Sequence, residues 1–333
     1  MTSDAVFGAP GGVLARTHAF VFPGQGAQKV GMGRAWADVS AAAREAFAEA
    51  DEALGCPLSK LCWEGPEEEL NLTANTQPAL LATSIAIHRA LLETGTPFAP
   101  VAFAGHSLGE WSAQVAAGAL DFGDALRLVR RRGELMQEAV PVGMGGMAAI
   151  IGMDLATIAG IAADAVADHP QEICAVANLN GPGQTVLAGH RTAIDRAVEL
   201  AKARGARKAT ILVVSAPFHS PLMKPAREGM AELLAVTEVR DPVVPVISNV
   251  DAAPVTTGAA ARDALIRQID HGVRWAESVR YMAETLGVGL FIEVGPGTVL
   301  SGLNRRIVEG VRVASTGEPA QFEKLLAMAA EEM

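Results

Sequence analysis

A short apolar run at residues 100–104 ends in Gly105-His106-Ser107-Leu108-Gly109, and a helical stretch at 108–120 starts inside that pentapeptide. Gly-x-Ser-x-Gly between a strand and a helix is the pattern of a nucleophile elbow. Its glycines let the backbone reverse without a clashing Cβ. The serine hydroxyl is lifted above the sheet, close to a helix N-terminus. Such a unit needs a strand buried inside a sheet and a helix packed over it, which restricts the rest of the chain to an α/β arrangement.

The remaining sequence agrees. Apolar runs at 18–22, 244–250 and 290–294 alternate with Ala- and Leu-rich helical stretches at 41–54 and 77–92, a pattern that predicts an α/β fold with a parallel sheet. The first run stops at Pro23-Gly24-Gln25-Gly26-Ala27-Gln28, a loop no helix can cross. Between 140 and 215 the order changes to strand 146–152, helix 155–167, strands 173–179 and 185–188, helix 192–204 and strand 207–214. That β-α-β-β-α-β order is the ferredoxin-like split βαβ unit, with Asn180-Gly181-Pro182-Gly183 as its central turn. The expected organisation is a flexible leader at 1–17, a large α/β subdomain from 18–139 and 216–333, and a ferredoxin-like subdomain inserted at 140–215. The cleft between the two is the default place for a site.

Composition narrows the function. Half of the 333 residues are hydrophobic and 19% are charged, enough to bury a sizeable core. A formal net charge of -10 argues against nucleic-acid binding, since phosphates must be neutralised by cations. No stretch approaches the roughly 18 apolar residues of a membrane span, and residues 1–18 lack the layout of a secretory signal. Cys56, Cys62 and Cys174 suit neither a disulfide framework nor a zinc site. A cytoplasmic protein without a structural metal is expected.

Ser107 is the candidate nucleophile, and a serine hydroxyl needs a general base. Of the seven histidines, His106 adjoins the serine and points away from it in an elbow, while His18, His88, His169, His190 and His271 have no distinctive context. His219, in Ser215-Ala216-Pro217-Phe218-His219-Ser220-Pro221, follows the last strand of the insertion, where the chain re-enters the large subdomain. That placement brings it to the cleft and makes it the candidate base.

Taken together, Phe22–Gln28, Gly105–Glu110, Arg132-Gly133 with Met136-Gln137, Phe218–Met223 and Glu293–Gly297 resemble the malonyl-CoA:acyl carrier protein transacylases of bacterial fatty-acid synthesis, over a span from His18 to Arg306. The resemblance implies an α/β-hydrolase-like large subdomain with a ferredoxin-like insertion and a ping-pong transfer through a malonyl-Ser107 ester, with His219 as base and then acid. It also implies an oxyanion hole from the backbone N–H groups of Gln25 and Leu108, and a grip on the malonyl carboxylate by Arg132. The backbone carbonyl of Gln268 would orient His219, which accounts for the lack of an obvious acid beside it. Asn249 resembles a further cleft residue, and Phe218 the malonyl-selecting form of its position. Glu110 and Glu293 are rival third members of the catalytic set, with a salt bridge or a helix start the favoured place for both.

The partners so implied are malonyl-CoA and an acyl carrier protein, with coenzyme A as substrate and product, no cofactor, no nucleic acid, no membrane and a monomeric enzyme. An acidic carrier would meet a local cationic rim, for which Arg204, Arg207, Lys208, Arg305 and Arg306 are candidates. Two other readings of the elbow are a trans-acting malonyl acyltransferase of a polyketide pathway and a serine esterase. The esterase leaves Arg132 and the glutamine-bearing loop without a use.

Overall fold

The computed structural model describes residues 17–330. The leader expected at 1–17 therefore lies outside the described residues, except for Thr17, which already belongs to the first strand. Among the described residues ten strands form two sheets. β1 (Thr17–Phe22), β2 (Pro100–Gly105), β7 (Val246–Ile247), β8 (Pro254–Val255), β9 (Val288–Glu293) and β10 (Arg312–Ser315) make a six-stranded sheet in the order β10-β9-β1-β2-β7-β8. Every pairing in it is parallel except the edge pair β7 and β8.

Period-two alternation gives the central strand two buried faces, as a parallel sheet covered on both sides requires. Phe20 and Phe22 point into a core with the helix Thr73–Glu93, whereas Ala19 and Val21 face a second core around Trp275, Phe291 and Leu300. Among the described residues no helix is long and apolar enough to cross a membrane.

β3 (Gly145–Ile151), β4 (Cys174–Gly181), β5 (Gln184–His190) and β6 (Lys208–Ile211) form a separate antiparallel sheet in the order β4-β5-β3-β6. The helices Leu155–Asp164 and Arg191–Ala203 pack on it through Ile158, Ile161, Ile194 and Val198. β4 and β5 join through a two-residue turn, with Pro182 fixing the first position and Gly183 at φ 65 in the second. β4 also reaches the large sheet's side of the molecule, because Leu179 N–H donates to the Val273 carbonyl and Val273 N–H to the Ala177 carbonyl, both at 2.8 Å.

Several elements depart from the sequence expectation, among them β6, which covers only Lys208–Ile211 of the strand expected at 207–214, and β8, which was not expected. The strand expected at 244–250 ends at Ile247, because Ser248 N–H turns to the Ala253 carbonyl and the chain doubles back into β8. The elbow helix stops at Ala116 rather than 120, since Gly118 at φ 73 lets the N–H groups of Ala119 and Leu120 fold back on the Gln114 carbonyl. β10 was not expected at all. It is a half-buried edge strand without a continuous apolar run.

Candidate active site

Close backbone approach builds the elbow. A Cβ on Gly105 would lie 2.0 Å from the Gly109 carbonyl carbon, and one on Gly109 would lie 2.0 Å from the Phe22 carbonyl oxygen. Ser107 between them is held at φ 52 and ψ -107. A non-glycine residue in such a region costs about 1–3 kcal/mol and persists only where its surroundings enforce it.

Ser107-Leu108-Gly109-Glu110 has the spacing of a capping box, in which the serine hydroxyl would cap the helix and the glutamate would reach back to the serine N–H. Neither bond forms. Ser107 makes no side-chain cap, its N–H donates instead to Asn249 Oδ1 at 2.7 Å, and Glu110 Oε2 accepts from Asn249 N–H at 3.0 Å. The hydroxyl is thereby left free.

His219 supplies its partner. Ser220 Oγ donates to the Pro217 carbonyl at 2.7 Å, and Pro217 packs so tightly on Gly145 that a Cβ there would meet its Cδ at 2.4 Å. This braced turn puts His219 at φ 57, buried at 4% exposure. Its Nδ1–H donates to the Gln268 carbonyl at 2.9 Å, which leaves Nε2 bare to accept from Ser107 Oγ at 2.6 Å. Burial first, and then the Arg132 cation, lower the His219 pKa to about 3. The imidazole is neutral at neutral pH, the form a general base needs.

Arg132 lies beside the same hydroxyl. Its helix, Phe122–Glu138, approaches the helix Thr73–Glu93 so closely that a Cβ on Gly133 would sit 2.7 Å from Ala74 Cα. Arg132 is 2% exposed. Nη1 donates to Gln77 Oε1 at 2.6 Å, while Nη2 donates to Gln268 Oε1 at 3.0 Å and to Ser107 Oγ at 3.2 Å. All three acceptors are neutral. Burial lowers the Arg132 pKa to about 10, so the guanidinium stays charged near neutrality. Arg131, by contrast, pairs with Glu134 and Glu138 on the outer face, and Arg130 turns to Asn75.

Ser107, His219 and Arg132 line a cavity of about 160 Å³ together with Gln25, Gln77, His106, Met136, Met147 and Phe218. Gly24 presses the Gln25 loop on the elbow, since a Cβ on it would lie 2.3 Å from the His106 carbonyl oxygen. Among the described residues neither the Gln25 nor the Leu108 N–H donates to a protein acceptor. His106 points away from Ser107, and its Nε2–H donates to Asn180 Oδ1 at 2.8 Å across the cleft. His88 packs edge-on against Phe20, Phe22 and Phe103, far into the core.

Known proteins match this chain over most of its length. The model of the acyl transferase domain matches residues 19–322. The malonyl CoA-acyl carrier protein transacylase of Escherichia coli (strain K12) is 50% identical over 311 residues, which cover 92% of this chain and 98% of that protein. That identity over nearly the whole of both chains decides the matter. The chain belongs to the malonyl CoA-acyl carrier protein transacylase family. An acyl carrier protein S-malonyltransferase from Vibrio cholerae superimposes with a TM-score of 0.90 at 47% identity, covering 93% of this chain and 99% of that one. A malonyl-transacylase solved in complex with a type II PKS acyl-carrier protein has the same TM-score at 46% identity, with coverages of 93% and 99%.

Asn249, which resembles a cleft residue, braces the elbow: its Oδ1 holds Ser107 N–H, and its Nδ2 donates to the Gly105 carbonyl at 2.7 Å. One expectation about this acyltransferase needs correction. Glu110 is neither salt-bridged nor a helix-start acceptor; it is fully buried on Asn249 N–H and Gln268 Nε2. Glu293 does sit at a helix start, accepting from Leu300 and Ser301 N–H at 3.0 and 2.7 Å.

One residue of the site escaped the sequence, Gln77, hidden in a helical run. Glu110 was in view, and its capping-box spacing concealed the groups it holds. The five candidate rim cations also separate. Arg204 pairs with Asp164 at 2.5 Å. Arg306 lines a second cavity that shares Gln25 and His106 with the first, whereas Arg305 borders a different groove beside β10.

Proposed function

We propose that this acyltransferase moves the malonyl group from malonyl-CoA to the phosphopantetheine thiol of an acyl carrier protein, supplying fatty-acid synthesis in the cytoplasm. In the first half-reaction Ser107 Oγ attacks the thioester carbonyl carbon while its proton passes to His219 Nε2. The oxyanion that forms is received by the N–H groups of Gln25 and Leu108, and loss of one such donor typically costs on the order of 100- to 1,000-fold in rate. Collapse expels the coenzyme A sulfur, which takes the proton from His219, and leaves malonyl-Ser107. In the second half the carrier thiol gives its proton to His219, its sulfur attacks the ester carbonyl, and Ser107 Oγ leaves with that proton.

One observation carries the reading. A guanidinium and a neutral imidazole converge on one serine hydroxyl, at 3.2 and 2.6 Å, inside a small cavity. The imidazole activates the oxygen, and the fixed cation can take a free carboxylate at the far end of the acyl group with two parallel hydrogen bonds. An ordinary ester substrate has no charge there to meet it. The named side chains account for every proton and charge in the cycle, so no metal or redox cofactor is invoked. They all come from one chain, which supports a working monomer. A second reading, a polyketide pathway, draws on the one carrier complex among these similar structures and uses the same site.

Incubation with malonyl-CoA and no acceptor, followed by intact mass measurement, tests the proposal. The protein should gain one malonyl group, and Ser107→Ala should gain none. Rapid thioester hydrolysis without an adduct would make it an esterase instead.

A further inference from the structure

The reaction as described leaves one fully buried carboxylate of the site without a task, that of Glu110. Its Oε2 accepts from Gln268 Nε2 at 2.7 Å and from Asn249 N–H at 3.0 Å, while its Oε1 has no partner among the described residues. Both donors belong to residues that hold Ser107. Gln268 Nε2 also donates to the Ser107 carbonyl at 2.9 Å, and Asn249 Oδ1 holds the Ser107 N–H.

The carboxylate decides which way the Gln268 amide lies. An ionised carboxylate only accepts, and a guanidinium only donates. With the amide nitrogen toward Glu110, its oxygen accepts from Arg132 Nη2 at 3.0 Å and from Trp111 Nε1 at 3.3 Å. The flipped amide would set oxygen against carboxylate and nitrogen against guanidinium, two repulsions in a buried place. Arg132 touches only neutral groups, so Glu110 also supplies its countercharge, one amide away. Burial raises the Glu110 pKa to about 7, while the two donors and the Arg132 cation pull the other way.

We propose that Glu110 is a positioning residue for acyl selection: through the Gln268 amide it holds Arg132 Nη2 beside Ser107, where the malonyl carboxylate is received. This inference rests on the reading of Arg132 as the carboxylate receptor. Selectivity then depends on a carboxylate that touches neither substrate nor nucleophile.

The test compares kcat/KM for malonyl-CoA and acetyl-CoA on the same preparation, so that a partly unfolded sample scales both and leaves their ratio unchanged. Glu110→Met keeps the volume and removes the acceptor; it leaves the Arg132 cation and two buried donors without their partner, so it should also lower stability, a loss that the ratio cancels. It should lower the malonyl to acetyl ratio about tenfold or more, the scale of one hydrogen bond to a charged group, mainly through KM for malonyl-CoA. Glu110→Gln, which keeps an acceptor and loses the charge, should lower the ratio less than E110M does. Gln268→Leu reads the relay from its other end and should lower the ratio as far as E110M does. The double variant E110M/R132A should show the ratio of R132A alone, since residues acting through one contact are not additive.

An unchanged ratio in E110M or in Gln268→Leu, or full additivity with R132A, overturns the proposal. If R132A alone leaves the ratio unchanged, the fault lies in the reading of Arg132 and not in the relay.

Discussion

Three residues other than glycine have positive φ among those described, Ser107, His219 and Ala252, and the first two share the 2.6 Å hydrogen bond at the centre of the site. The strain marks them without any knowledge of the chemistry, and both were legible in the sequence, one from its glycines and one from its place after the insertion. Arg132 and Gln268 were legible only by resemblance, because a third arginine in a row and a glutamine at a helix end carry no local signal. The close approach of Arg132 to the base has a kinetic consequence. A base works unprotonated, so the rate falls as pH falls through its pKa. Burial and the Arg132 cation put that pKa at about 3, far below the ordinary imidazole value of 6.5, and kcat/KM for acetyl-CoA, which has no carboxylate for Arg132 to receive, should be flat from about pH 8 to pH 5. Arg132→Ala removes the cation and keeps the burial, so the His219 pKa rises. With acetyl-CoA, the acid limb of R132A should move to higher pH than in the unaltered enzyme. An unmoved limb would mean that His219 does not feel the guanidinium. By the same argument a malonyl carboxylate seated on Arg132 offsets the cation and strengthens the base that acts on its own thioester.

Elements carry the site by how near they come to one another, and periodicity does not report nearness. The strands and helices of the small sheet were legible because both period-two and helical stretches are long there. β7 was overread because Val244–Val250 is apolar at both ends, although Ser248 and Asn249 are needed for a turn that delivers Asn249 to the elbow. Gly133 was legible only as a family motif, and its physical role is the contact with the helix Thr73–Glu93 that keeps Arg132 at Gln77. In an open helix, glycine to alanine is stabilising by roughly 0.5–1 kcal/mol. Gly160, in the helix Leu155–Asp164, has nothing within 4 Å of an added Cβ, and Gly160→Ala should raise Tm by about one degree with activity unchanged. Gly133→Ala should lower Tm, because the added carbon meets backbone at 2.7 Å, with overpacking costing about 1–3 kcal/mol. It should also reduce malonyl transfer more than acetyl transfer, as the Arg132 helix is pushed outward. Equal Tm changes of the same sign in the two variants would remove that helix contact from the account.

For the whole molecule the decisive quantity is the distribution of charge about the cleft, and this was the least legible property of the sequence. Clustering along the chain put Arg305 and Arg306 together, whereas adjacent helical positions face different ways. In the structure Arg306 is exposed beside the cavity that shares Gln25 and His106 with the nucleophile's cavity, and Arg305 borders the groove lined by Val311, Arg312 and Lys324. A protein of net charge -10 repels an acidic carrier at long range, so productive encounter depends on cations at the mouth of the site. Arg306→Glu should therefore raise KM for carrier protein about tenfold in low salt. The effect should shrink as salt rises, because the Debye length falls from roughly 30 Å at 0.01 M to about 3 Å at 1 M. Arg305→Glu changes the net charge equally but sits at the other groove, so its effect should be several-fold smaller, about twofold to threefold. KM measured for both variants across that salt range separates local docking from overall repulsion. Equal effects would mean that only total charge matters, and a salt-independent effect of R306E would point to lost packing rather than lost charge.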